Sequence, residues 1–118
     1  MDYRVNRRTG DRISVIGPGS SYIAESDEKT ATETLIYAYE HGINYADLTT
    51  DGARTFFYYG TALRSVREKM YDQVHFGANY ETGENGWTTD LETVKRQIDC
   101  QMARMNEIGS FFNCEGWR

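Results

Sequence analysis

Two cysteines and two histidines are all the thiols and imidazoles that this chain of 118 residues offers to a metal. Cys100 and Cys114 fall in neither a C-x-x-C nor a Cys/His spacing, and His41 and His75 stand far apart, so no metal site is indicated. Basic residues are scarce as well. Thirteen Lys and Arg against eighteen Asp and Glu give a net charge of -5, which leaves no basic stripe and argues against nucleic-acid binding. Uninterrupted apolar runs reach only a handful of residues, well short of the roughly 20 that cross a bilayer. Met1 to Gly10 is charged and has no apolar h-region, so it does not read as a signal peptide. These absences place the chain in the cytoplasm as an expectation, with both cysteines as reduced thiols.

What is present suits one small domain. Hydrophobic residues at 39% and charged ones at 26% are ordinary for a globular chain. The aromatic share of 14%, with nine tyrosines, is high, and amphipathic rings of this kind pack at core edges.

Tyr3 to Val5 and Arg12 to Ile16 are short β-prone runs whose connection contains Gly10, which suits a hairpin turn. Gly17-Pro18-Gly19-Ser20 then ends the strand and opens a loop. Ser26 as N-cap, with Asp27 and Glu28 behind it, predicts a helix whose apolar face is Ala31, Leu35, Ala38 and Tyr39 and whose stop is Gly42. Ile43 to Asp47 is a short strand. A second helix is expected from about Phe56 to Lys69, with Tyr59, Ala62, Leu63 and Val66 buried, and Val74 to Ala78 as the third strand. Asn79 to Thr88 is a loop with turn signals at Thr82-Gly83 and Asn85-Gly86. Thr89 and Glu92 have capping-box spacing ahead of a stripe of Leu91, Val94, Ile98, Met102 and Met105. Ile108 to Phe112 is a weaker candidate for a fourth strand because of Gly109 and Ser110. Strands alternating with helices at this spacing predict an α/β fold with a parallel sheet and crossover helices.

The segment AYEHGINYADLTT, Ala38 to Thr50, carries the chemistry: a helix stopped by glycine, then a strand that ends on Asp47. A carboxylate at the C-terminal end of a parallel strand stands where α/β barrels keep reactive groups. With the opening MDYRVNRRTGDRISVIGPGSSYI and the later YYGTALRSVREKMYDQVHFGANY, this segment resembles the aldo-keto reductase family over about nine-tenths of the chain. FGANYETGENGWTTDLETVKRQID also resembles a bacterial branch whose full-length members carry a C-terminal iron-sulphur domain. The resemblance implies an N-terminal hairpin plus three to four β/α units of a TIM-type (β/α)8 barrel, incomplete, with residues 1–118 as a single partial barrel domain. It further implies carbonyl reduction with NADPH on a small-molecule carbonyl substrate. In that chemistry a tyrosine donates the proton, a lysine lowers its pKa, an aspartate supports the lysine, and a histidine orients the carbonyl.

Carried over by position, Asp47 fits the catalytic aspartate and the cofactor-side carboxylate, and Ser20 and Ser21 fall in the loop facing the nicotinamide half of NADP. Gly17-Pro18-Gly19 is only a G-x-G, which reads as a turn before it reads as a phosphate loop. The family tyrosine falls on Gly52, the lysine on Asn79 at the end of the third strand, and the histidine at about Asn113 after a short deletion near Asn106. Tyr58 or Tyr59 in the second helix are the candidates to replace the tyrosine, and they read first as packing. The expectation is therefore a truncated aldo-keto reductase-like oxidoreductase that is inactive alone.

Three or four parallel strands without their neighbours expose backbone at two edges and wet residues such as Ile43, Val74 and Phe76. The alternative expectation is a non-catalytic module that self-associates or takes up a complementing fragment, with Phe111, Phe112 and Trp117 as an apolar patch.

Overall fold

The computed structural model describes residues 1–48, 53–82, 84 and 86–106. The chain opens with an antiparallel hairpin, β1 (Tyr3–Val5) against β2 (Arg12–Ser14), in which Tyr3 faces Ser14. Gly10, at φ 81°, takes the left-handed conformation that this connection needs. Asn44 fastens the hairpin to the rest: its Oδ1 accepts from Ser14 N at 2.8 Å and its Nδ2 donates to the Arg12 carbonyl at 2.8 Å. The Tyr3 hydroxyl donates to the Gly42 carbonyl at 2.8 Å.

The Gly/Pro loop leads into a short helix, α1 (Ser21–Glu25), and then α2 (Glu28–Glu40). The cap of α2 is Asp27 rather than Ser26, its carboxylate accepting from Thr30 N at 3.0 Å. Ser26 instead donates to the Tyr22 carbonyl and so closes α1. α2 ends as its sequence predicts. Gly42 N bonds the Tyr39 carbonyl and Ile43 N bonds the Ala38 carbonyl, the paired bonds of a glycine C-terminal cap.

β3 (Tyr45–Asp47) pairs in parallel with β4 (Tyr71–Gln73), with Asp47 opposite Gln73. Between them run α3 (Arg54–Leu63) and a 3₁₀ segment, Arg64–Lys69. On the other side of β3, Gly19 forms an isolated parallel bridge to Asp47. Gly19, Asp47 and Gln73 thus stand side by side at one level of the sheet. Gly17 has no room for a side chain, since a Cβ there would lie 2.5 Å from the Tyr45 ring and 2.6 Å from its carbonyl oxygen.

The third parallel strand therefore lies at Tyr71–Gln73 and not at Val74 to Ala78. Gly77, at φ 85°, breaks the run, and Ala78–Asn79 (β5) pairs antiparallel with Gly86–Trp87 (β6). The expected loop thus contains a small hairpin. The last described helix is α4 (Leu91–Met105), capped by Asp90, which accepts from Thr93 N at 2.9 Å, and not by a Thr89/Glu92 box.

The core lies among α2, α3 and α4 and the helix-facing side of β3. Leu35, Ala46, Leu48, Phe56, Tyr58, Tyr59, Leu63, Tyr80 and Met105 are buried in one cluster, with Ala62, Val66 and Val74 packed at its margin. On α4 the inward face is Val94, Gln97, Gln101 and Met105, while Leu91 and Met102 are exposed, so the expected stripe is only half buried. The rotation has a cause: Gln97 Oε1 accepts from Tyr80 N at 2.9 Å, satisfying a buried backbone donor. Cys100 is disulfide-bonded, which overturns its reading as a reduced thiol. Cys114 lies outside the described residues, as do Gly52, Ile108 to Phe112, Asn113 and Trp117. Among the described residues no helix is long and apolar enough to cross a membrane.

Candidate functional site

Because side chains alternate along a strand, Tyr45 and Asp47 share one face of β3, and Gln73 lies on the same face of β4 beside Asp47. His75 follows β4 by two residues and returns to that face. Its Nε2–H donates to Asp47 Oδ1 at 2.8 Å, across 28 residues of sequence. The Tyr45 hydroxyl donates to Gln73 Oε1 at 2.7 Å, which turns the Gln73 amide nitrogen toward the imidazole, 3.5 Å from His75 Nε2. The pair is reachable from solvent, with the His75 side chain 30% and the Asp47 side chain 43% exposed.

The opposite face belongs to the interior. Asp72 is nearly buried and forms an ion pair with Arg67 at the end of the 3₁₀ segment. Burial raises the Asp72 pKa above the usual carboxylate range, and the Arg67 guanidinium opposes that only in part. Tyr59 projects from α3 toward this region and makes a long contact of 3.5 Å with the Pro18 carbonyl. Its phenol is pushed far up, first by burial and then by the charges of Asp72 and Asp47. That is the wrong direction for a proton donor near neutral pH. Tyr58 is buried within α3, its ring tilted against Phe57. Both tyrosines are packing residues.

The structure also changes which residue stands beside Asp47. Asn79, expected at the end of the third strand, sits in β5, where its Oδ1 accepts from Glu81 N at 3.0 Å as a turn would require. With the strand ending at Gln73, which faces Asp47, the side chain that bonds the Asp47 carboxylate is His75, two residues further on. Sequence reasoning set His75 aside as an isolated histidine. The available signal was the two-residue period from Tyr71 through Gln73 to His75, hidden by placing the strand three residues late.

Ser20 follows the residue that bridges to Asp47. It is buried at 2% exposure, and Ser21 is exposed at the start of α1. These residues do not fit the phosphate-bearing part of NADP. The Ser20 hydroxyl is enclosed, Gly17 is pressed onto Tyr45 and forms no cradle, and the neighbouring charge is the carboxylate of Asp47. α1, at five residues, is too short for a developed N-terminal dipole.

The class defined by this arrangement is an α/β fold of parallel strand positions and crossover helices with polar residues at the strand ends. In fold, the chain matches the aldo-keto reductase AKR11C1 from Bacillus halodurans, in its holo form, with a TM-score of 0.68 and 23% identity. The match covers 91% of this chain and 37% of that one, so the chain spans little more than a third of that enzyme's length. The likeness is one of fold. No protein-family model matches the sequence, and no curated protein matches it.

Proposed function

We propose that the chain is an aldo-keto reductase-like oxidoreductase unit, the opening hairpin and first three to four β/α units of a (β/α)8 barrel. NADP is the cofactor class, and a small carbonyl compound the substrate class, of the lineage it resembles. Asp47 is the retained catalytic carboxylate, and Ser20 and Ser21 are the loop positions on the cofactor side. The observation that carries this reading is Asp47 at the end of a parallel strand with a hydrogen-bonded partner, His75, two residues past the end of the next strand, in a chain whose fold matches part of such a reductase. The 118 residues by themselves do not reduce carbonyls: Tyr45 within the site and Tyr59 beside it both have their pKa raised, and the phosphate fit is poor. The test is titration of the chain with NADPH, followed by fluorescence, and turnover of a generic aldehyde. Neither saturable binding nor oxidation above the buffer rate is expected. Turnover that Asp47→Asn abolishes would overturn the claim of inactivity.

A second reading, a module that pairs with another copy or a complementing chain, is favoured by Phe76 and Trp87, which are 71% and 68% exposed beside the β5–β6 hairpin. Light scattering decides it. A concentration-dependent dimer that Trp87→Ser dissolves supports the module, and a monodisperse monomer at all concentrations removes it.

A further inference from the structure

Charge is divided unevenly along the chain. Four arginines against Asp2 and Asp11 give residues 1–12 a charge of +2, so with -5 overall the remainder carries -7. Within the opening hairpin, Arg4 and Arg12 occupy opposite faces, because the residue facing Arg12 is Val5. Arg12 also lies over the Tyr3 ring, 5.0 Å from its centre. Arg7 and Arg8 stand at the tip, on a turn held by bonds from Gly10 N to the Asn6 carbonyl and from Arg8 N to Asn6 Oδ1. Both are exposed and, among the described residues, form no ion pair. Two adjacent cations on a held tip suit entry into a cleft rather than a track along a polyanion.

A cleft of complementary sign opens between α2 and α3. Its volume is about 430 Å³, within the range of small-ligand clefts, and it is lined by Glu28, Lys29, Thr32 and Glu33 of α2 and Thr61 of α3. Lys29 and Glu33 pair across one helical turn at 3.9 Å, which leaves Glu28 as the uncompensated charge of the lining. The hydroxyl oxygens of Thr32 and Thr61 are buried and have no hydrogen-bond partner. A hydroxyl in that state forfeits a bond, and a donor seated in the cleft restores it. A guanidinium brings five donors with its charge and is less strongly hydrated than an ammonium.

We propose that the Arg7–Arg8 tip of one copy seats a guanidinium in the α2–α3 cleft of a second copy, joining the chains head to tail. The tip of the same chain does not reach that cleft. Its hairpin is fastened through Tyr3 at the Gly42 end of α2, whereas the cleft residues lie in the first turns of the helix. The 13 residues of α2 hold those two ends roughly 20 Å apart. The contact joins two different surfaces, so every pair keeps a free tip and a free cleft, and a third copy can add. It is separate from the Phe76 and Trp87 surface and from carbonyl chemistry.

The test is sedimentation velocity of the whole chain at rising concentration in about 20 mM salt, where exposed charges are little screened. Species larger than a dimer are expected to grow with concentration, and salt of about 0.5 M should weaken association by about tenfold or more. Arg7→Gln with Arg8→Gln, and Glu28→Gln with Glu33→Gln, change exposed side chains only, and circular dichroism should show both double variants folded. Each should weaken self-association by about tenfold or more. Mixed together, they should form a one-to-one dimer and nothing larger, because each retains one half of the contact. Trp87→Ser should leave the wild-type assembly intact, which separates this contact from the one at Phe76 and Trp87. A wild-type chain that stays monomeric in low salt, an assembly that survives both double variants, or a mixture of the two that stays monomeric overturns the proposal.

Discussion

At position 60, where α3 crosses the end of α4, a single methyl group has nowhere to go. A Cβ there would lie 2.5 Å from the Arg104 carbonyl and 2.8 Å from that of Met105, both backbone atoms that cannot swing aside. Gly60→Ala is expected to cost about 2 kcal/mol despite the helix propensity it gains, measured by urea denaturation. The opposite outcome is expected at Gln101, whose Oε1 is buried without a hydrogen-bond partner. Gln101→Met removes that desolvated acceptor at similar volume and should raise stability by about 1 kcal/mol, read as a higher Tm. Arg67 and Asp72 form the third case. Removing the guanidinium by Arg67→Met leaves a carboxylate buried without its cation, at a cost of about 3 kcal/mol near pH 7. The pH dependence fixes the sign. The Asp72 pKa is raised in the folded state above its ordinary 3.8, so its favourable contribution is complete below pH 3.8 and is lost as pH rises through the native value. The Arg67→Met deficit should therefore shrink on acidification, and a deficit that grew toward low pH would contradict the assignment.

Among the elements, the three longer helices and the glycine stop of α2 are legible in the sequence, whereas the short α1, the end of α3 at Leu63, the caps and the strand limits are not. Gly42 was readable because a C-terminal cap needs a residue that tolerates positive φ, a local requirement. Asp27 and Asp90 outcompete the neighbouring Ser26 and Thr89 because their carboxylates reach Thr30 N and Thr93 N, a choice among adjacent candidates that pattern alone leaves open. Both carboxylates have their pKa lowered, chiefly by hydrogen bonds from those threonines. Their contribution is thus present above pH 3.8 and lost as pH falls through the native values, the reverse of Asp72. Asp27→Ala and Asp90→Ala should each lower the Tm at pH 7 and lose their effect in acid, followed by circular dichroism. Strand β4 was misplaced because Val74, Phe76 and Ala78 looked like a β-run. Val74 is at the core margin, but Phe76 faces solvent and Gly77 turns the chain. That error hid His75. The α4 stripe failed for another reason: an apolar count ranks Leu91 and Met102 above two glutamines, one of which is needed by a backbone donor at Tyr80.

For the molecule as a whole, the packing is uneven, with burial concentrated on α3 and its neighbours while the β1–β2 hairpin is mostly exposed. Amide exchange should therefore be slowest in α3 and the buried turns of α2, and fastest in the hairpin, whose attachment depends largely on Asn44 and Tyr3. Hairpin amides as protected as those of α3 would show a more uniform cooperative unit. The alternation of strands and helices was readable at this scale because it depends on composition over long windows. The meeting of Asp47 with His75 was not, since it requires two strand ends to be in register. Asp47 and His75 are joined only when the helix between them has folded back and laid β4 beside β3. Their bond thus marks the closure of one complete strand–helix–strand loop, and the imidazole resonance would report, during refolding, the moment at which that crossover becomes native.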